Sequence, residues 1–215
     1  MASRKTLKEA YDAMLSHFGH LGWWPAQSPF EVMVGAMLTQ NTNWKNVERA
    51  IENLKNAGML DVYAIHGCEH AALAELIRPA GYFRLKAGRL KNFIEYFILN
   101  YGGDVERMKE ISTSTLREEL LSVKGIGPET ADSILLYALN RPMFVVDAYT
   151  KRILLRHSLC CEEDGYVEIQ QIFMDNLEWD VPLFNEYHAL IVETAKNFCR
   201  KIPHCDACPL GNWNR

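Results

Sequence analysis

No stretch of this 215-residue chain is apolar for the length a bilayer requires, and residues 1–20 are polar and mixed rather than signal-like. These absences predict a soluble, cytoplasmic protein with no membrane partner. Period-two alternation of apolar and polar residues is also missing, which argues against a sheet. Internal repeats and low-complexity linkers are lacking, so no solenoid or tethered array is expected. The six cysteines form no paired framework of the secreted kind. In a reducing compartment, clustered cysteines bind metal more often than they form disulfides. Basic charge is not in excess either, since the formal net charge is −4.

What is present is a 48% apolar composition, enough for one or two packed domains. Apolar residues recurring at helical spacing predict helices over 5–18, 29–40, 43–57, 69–78, 84–100, 113–122, 128–139, 147–157, 165–176 and 181–198. The fold is therefore expected to be all-α. Charge is unevenly spread: Arg78, Arg84, Lys86, Arg89 and Lys91 follow one another with no acid between them, whereas residues 104–119 carry five Asp or Glu. A solvated helix face explains such a basic run as readily as a phosphate contact does.

The most informative segment is Val123-Lys-Gly-Ile-Gly-Pro-Glu-Thr-Ala131. Leu116, Leu120, Leu121 and Val123 are spaced helically before it, and Ala131, Ile134, Leu135 and Ala138 after it. Gly125 and Gly127 can adopt positive φ and leave no side chain between backbone and ligand, and Pro128 suits a first helical turn. Such a turn can present backbone N–H groups to a phosphate, or it can be an ordinary αα-hairpin. The balance shifts with Asp147 in Val-Val-Asp-Ala-Tyr, followed by Lys151, Arg152 and Arg156. A lone carboxylate there can act on whatever the phosphate delivers, and it can also cap the helix it begins.

The stretch Leu120–Asp132 followed by Val146-Asp147 resembles the helix-hairpin-helix and aspartate motif of the endonuclease III superfamily of DNA base-excision glycosylases. Two more stretches agree in order. Leu38-Thr39-Gln40-Asn41-Thr42 is similar to the family's Gln-bearing helix end, and Cys199-x5-Cys205-x2-Cys208-Pro209 resembles its iron–sulfur loop. The resemblance implies two helical domains: a six-helix unit over 29–140 carrying the hairpin, and a discontinuous unit of 1–28 plus 141–215 carrying Asp147 and the Cys-rich loop. The substrate cleft would lie between them. Double-stranded DNA with a damaged base is the implied partner, met by a monomer. Gln40 would fill the gap left by the extruded base, flanked by Asn41 and Thr42. Lys124, Gly125, Ile126 and Gly127 would clamp phosphate. Gly81-Tyr82-Phe83-x-x-Lys86-Ala87 looks like a family loop bordering DNA, which makes Arg84 and Lys86 candidate contacts.

Lyase-competent members carry a lysine where this chain has Glu129. A carboxylate cannot form the Schiff base that cuts the strand, so a monofunctional glycosylase is expected. Asp147 would stabilise the oxocarbenium-like sugar and orient or deprotonate the attacking water. Flat walls for an extruded base are offered by Trp24, Pro25 and Trp44, with Trp23 assigned to core packing. Trp-Trp-Pro upstream of Gln-Asn-Thr-x-Trp, with glutamate at 129, looks most like the 3-methyladenine glycosylase branch. N-alkylated purines are cationic, and tryptophan faces attract cations by about 0.5–2 kcal/mol. Their charge also weakens the glycosidic bond, so no dedicated general acid is required. The acid expected of adenine-mismatch enzymes is missing, since Gly35 stands there and Glu31 lies a turn further away. Thymine or uracil mismatch enzymes often carry tyrosine at position 129. A non-catalytic damage sensor and an electron-transfer protein are the competing classes, the latter leaving the hairpin and Asp147 without a purpose.

The tail departs from the family pattern. Asn214 stands where a fourth cysteine is expected, and the first gap is five residues rather than six. Cys199, Cys205 and Cys208 could hold a 4Fe-4S cluster with a non-cysteine fourth ligand. Zinc with His204, a trimmed fourth cysteine, a ligand from Cys160 or Cys161, and three free thiols are the other readings. The remaining histidines, including His188, show no metal-ligand spacing and are expected on the surface or in the core.

Overall fold

The computed structural model describes residues 3–213, and among these there is no strand. The chain divides into two compact units: Ala26–Arg141, and a second built from the residues through Pro25 together with those from Pro142 onward. Helix α1 (Arg4–Phe18) belongs to the second unit.

The unit Ala26–Arg141 contains α2 (Pro29–Thr39), α3 (Trp44–Asn56), α4 (Val62–Gly67), α5 (His70–Leu76), α6 (Phe83–Tyr101), α7 (Val105–Lys109), α8 (Thr113–Ser122) and α9 (Pro128–Ser133). Helix α2 starts at a side-chain cap: Ser28 Oγ accepts the Glu31 N–H at 3.2 Å, and Glu31 Oε2 in turn accepts the N–H of the preceding Gln27 at 3.0 Å. Lys55 Nζ closes on Glu31 Oε1 at 2.7 Å, so this buried acid has a structural task. Beyond it Val32, Met33, Val34, Ala36, Met37 and Leu38 are all buried. A helix apolar on every side is a central one, and α2 packs on α3, α6 and α9 with the turn that follows α9. Phe93 and Phe97 of α6 stack with ring centroids 5.8 Å apart, and Phe30 stacks on Phe97 at 6.3 Å.

Helices α8 and α9 flank the glycine hairpin and are clamped by one ion pair. Arg117 donates from Nε and Nη2 to the two oxygens of Asp132, at 2.7 and 3.0 Å, and Asp132 is wholly buried. Helix α9 continues as a π-type turn over Ile134–Ala138. The helix expected over 128–139 covers both α9 and this turn, whereas the short helices α4 and α7 are not predicted by the apolar periodicity, because five or six residues are too few to display one.

The second unit also contains α10 (Ala148–Arg156), α11 (Tyr166–Met174) and α12 (Val181–Asn197), and Phe144 packs against α11 and α12. Its ring stacks on Phe173 at 3.8 Å and meets the edges of Phe184 and Tyr187. The chain's beginning is tied into this core from two sides. Tyr187 Oη donates to the Leu7 carbonyl at 2.8 Å, and Trp213 Nε1 donates to the Thr6 carbonyl at 2.9 Å.

Candidate active site

The hairpin has one glycine that the fold requires and one that it leaves open. Gly125 sits at φ +104, and a Cβ there would overlap the Arg89 side chain. Its neighbours are pinned: Asn92 Nδ2 donates to the Lys124 carbonyl at 2.9 Å, the Ile126 N–H reaches the Val123 carbonyl at 3.0 Å, and Ile126 is buried. Gly127 is extended, exposed, and has nothing within 4 Å of where a Cβ would stand. No side chain caps α9, whose first N–H groups follow directly. Lys124 and Glu129 are exposed on either side. An open glycine, uncapped helical N–H groups and an exposed lysine can bind an oxyanion.

Gln40, at the C-terminal end of α2, reaches into this hairpin. Its Nε2 donates to the Gly125 carbonyl and to Thr130 Oγ1, both at 3.0 Å, and its Oε1 accepts from Arg89 Nη1. Asn41 follows in the left-handed region, φ +53, and is exposed. Thr42 Oγ1 accepts from Asn46 Nδ2 at 3.4 Å. Arg84 is exposed beside the Phe83 ring. Lys86, expected at a phosphate, is instead only 2% exposed. Its ammonium donates to the carbonyls of Leu38 at 2.8 Å and Ala80 at 2.7 Å, which ties down the end of the helix that carries Gln40. Burial, with Arg89 nearby, pushes its pKa down to about 8. A run of basic residues cannot reveal which member turns inward.

Asp147 is the N-cap of α10. Oδ1 accepts the Thr150 N–H at 2.7 Å and the Thr150 hydroxyl at 2.9 Å. Oδ2 lies 3.6 Å from His188 Nε2, and the carboxylate side chain is 13% exposed. Burial pushes its pKa up, but His188 and the Thr150 donors outweigh that and hold it below the ordinary carboxylate range. The group is therefore a fixed anion at neutral pH. His188 itself was not singled out by spacing. The available signal was its place on the apolar face of α12, among Phe184, Tyr187 and Ile191, where a polar ring needs a partner.

A family profile described as HhH-GPD superfamily base excision DNA repair protein matches residues 34–178, which span the hairpin and Asp147. The chain belongs to this superfamily. Among its relatives, the candidate DNA repair glycosylase MJ1434 of Methanocaldococcus jannaschii is 54% identical over 201 residues, covering 93% of this chain and 91% of that protein. The crystal structure of the H. pylori 3-methyladenine DNA glycosylase MagIII bound to 1,N6-ethenoadenine superposes with TM-score 0.78 at 33% identity, covering 91% and 98%. A non-covalent endonuclease III–DNA complex shares the fold, with TM-score 0.84 at 21% identity, covering 100% of this chain and 96% of that one.

For an HhH-GPD protein, the aromatic residues expected at a base pocket are distributed as follows. Trp24 is half-buried and Pro25 exposed in the unit that holds Asp147. Trp44 is half-buried at the start of α3, its Nε1 donating to Glu48 at 2.7 Å. Trp23, expected in the core, is half-buried, with its ring 6.3 Å from that of His188.

The Cys-rich loop of this HhH-GPD chain encloses a cavity of about 380 Å³ lined by Cys199, Cys205 and Cys208, with His157, Thr194 and Gly211 among the other walls. Burial pushes the Cys208 thiol up, and Cys199 and Cys205 are near enough to add to that. Arg156 Nη1 donates to Cys199 Sγ at 3.1 Å and to the Arg200 carbonyl at 2.7 Å. One feature fits a bound guest: the Thr194 hydroxyl in the cavity wall is buried with no hydrogen-bond partner. Gly211 lets the loop close on itself, since a Cβ there would overlap the Cys205 carbonyl. Among the described residues, no three His, Cys, Asp or Glu side chains converge on a single ion, zinc included. Asn214, at the expected fourth-ligand position, lies outside the described residues.

Proposed function

We propose that this protein is a monofunctional DNA N-glycosylase that removes alkylated purines of the 3-methyladenine type from double-stranded DNA. The observation that carries the reading is Asp147: an ionised carboxylate, fixed by its own helix through Oδ1, with Oδ2 turned to a polar neighbour and partly open. Its depressed pKa makes it a weak proton acceptor and a good anion. Its main work is therefore to stabilise the cationic sugar as the base departs, and to orient the water that follows. A cationic leaving base needs little further help. The likeness to MagIII supports the alkylpurine assignment. Glu129 in place of an amine supports hydrolysis without strand cleavage.

In this reading the backbone from Lys124 to Gly127 holds phosphate, and Arg84 adds a cation along the strand. Gln40, released from Gly125 and Thr130, occupies the space the base vacates, with Asn41 and Thr42 beside it. Trp24, Pro25, Trp44 and Glu129 are the residues assigned to meet the extruded base. Cys199, Cys205 and Cys208 supply three thiolates to a 4Fe-4S cluster, which would brace the loop and take no part in the chemistry.

The test is release of free base from DNA treated with a methylating agent, comparing wild type with Asp147→Asn and separating the products by chromatography. The expected result is 3-methyladenine from wild type alone, with strands intact until alkali is added. No release would overturn the alkylpurine assignment and direct attention to uracil and thymine mismatches. Nicking before alkali would overturn the monofunctional one.

A further inference from the structure

We propose that His188 is a positioning residue for Asp147, orienting the carboxylate oxygen that faces the departing base; the inference rests on the glycosylase reading above. Asp147 Oδ1 is held twice by Thr150, which fixes one end of the carboxylate to α10. A group held by one oxygen can still swing the other. Here the other oxygen meets His188 Nε2 at 3.6 Å, longer than a hydrogen bond yet close enough to restrict the swing and to interact with the charge. His188 is 7% exposed, so the imidazole itself has little room. The Trp23 ring stands 6.3 Å from the imidazole, tilted by 53°, and Lys196 Nζ lies 5.2 Å from the centre of that indole. His188 thus lies near both Asp147 and Trp23 and gives the carboxylate a neighbour fixed to α12. A histidine on this apolar face costs desolvation that leucine or phenylalanine would not, and the adjacent anion offsets that cost.

A positioning role separates rate from binding. In single-turnover base release, His188→Ala is expected to be slower by about 10²-fold while affinity for abasic-site DNA stays within about threefold, because a small misplacement of a reacting group is costly to the chemical step alone. His188→Gln, whose amide nitrogen can stand near the place of Nε2, is expected to recover most of the rate. Release at the wild-type rate by His188→Ala, rate and affinity falling together, or no rescue by glutamine would each overturn the proposal. Asp147→Asn, measured alongside, keeps two failures apart. If it is silent while His188→Ala matches wild type, only the positioning role falls; if it releases base normally, the glycosylase reading of Asp147 falls. Should His188→Ala not fold, or wild type release no base, the NMR resonances of the His188 ring decide. Replacing Asp147 by asparagine must shift them, and unshifted resonances overturn the coupling.

Discussion

Arg117→Ala should be among the most damaging single substitutions outside the apolar core. Asp132 is wholly enclosed, and both of its oxygens are engaged by the Arg117 guanidinium at 2.7 and 3.0 Å. Arg117 is itself 22% exposed, so water can replace part of its environment but none of that around Asp132. Removing the cation leaves a buried carboxylate without its charge partner, a change that costs about 3–5 kcal/mol. With a urea m-value of about 2 kcal/mol per molar, the midpoint should fall by about 1.5–2.5 M. Trp44 is the only tryptophan of the unit Ala26–Arg141, so its fluorescence, in a background where the other four are replaced by phenylalanine, reports on the unit that holds the pair. A replacement of both residues by leucine should recover most of the loss, because the cost lies in burying a carboxylate that has lost its guanidinium rather than in the missing bridge. By contrast, Lys8 and Asp12 lie 3.5 Å apart with side chains 67% and 55% exposed, and Lys8→Ala should cost less than about 1 kcal/mol. A midpoint shift for Arg117→Ala no larger than that of Lys8→Ala would refute the reasoning.

Gly125→Ala forces a Cβ into Arg89 at φ +104, a conformation that costs about 1–3 kcal/mol before the clash is relieved. Weaker binding to abasic-site DNA together with a lower melting temperature is expected, while Gly127→Ala should weaken binding and leave the melting temperature unchanged. The salt dependence of DNA affinity distinguishes the two lysines: Lys124→Ala should reduce the slope by about 1, as for a lost phosphate contact, and Lys86→Met should leave it unaltered. Lys86 gives a pH signature as well. Its folded pKa of about 8 lies below the ordinary 10.5, so between those values the unfolded chain binds more protons. Stability therefore rises with pH across that window, and Lys86→Met should flatten the rise.

Patterns that repeat along the chain were legible, and single inward turns were not. Helices α2, α3, α6 and α12 are long enough for their apolar spacing to show, and the glycine hairpin with its downstream aspartate carries a local signature. Lys86 reads like its neighbours in a basic run, because only the backbone's path shows that its ammonium meets the carbonyls of Leu38 and Ala80. His188 lies on a different helix from the residue it faces, so no spacing links it to Asp147. The same holds for Gln40, whose amide bridges to Gly125 and Thr130 across the unit.

The hydrogen bonds from Tyr187 and Trp213 to the backbone of α1 have a consequence for synthesis. Helix α1 leaves the ribosome well before its packing partner α12, which begins about 160 residues later, after the whole of Ala26–Arg141 has emerged. At about 5–20 residues per second, α1 waits roughly 8–30 s with Leu7, Ala10 and Met14 uncovered. During that interval the intervening unit has all of its residues and can complete its own core. The unit Ala26–Arg141 can therefore mature before the one that flanks it in sequence, and α1 stays uncovered until α12 arrives.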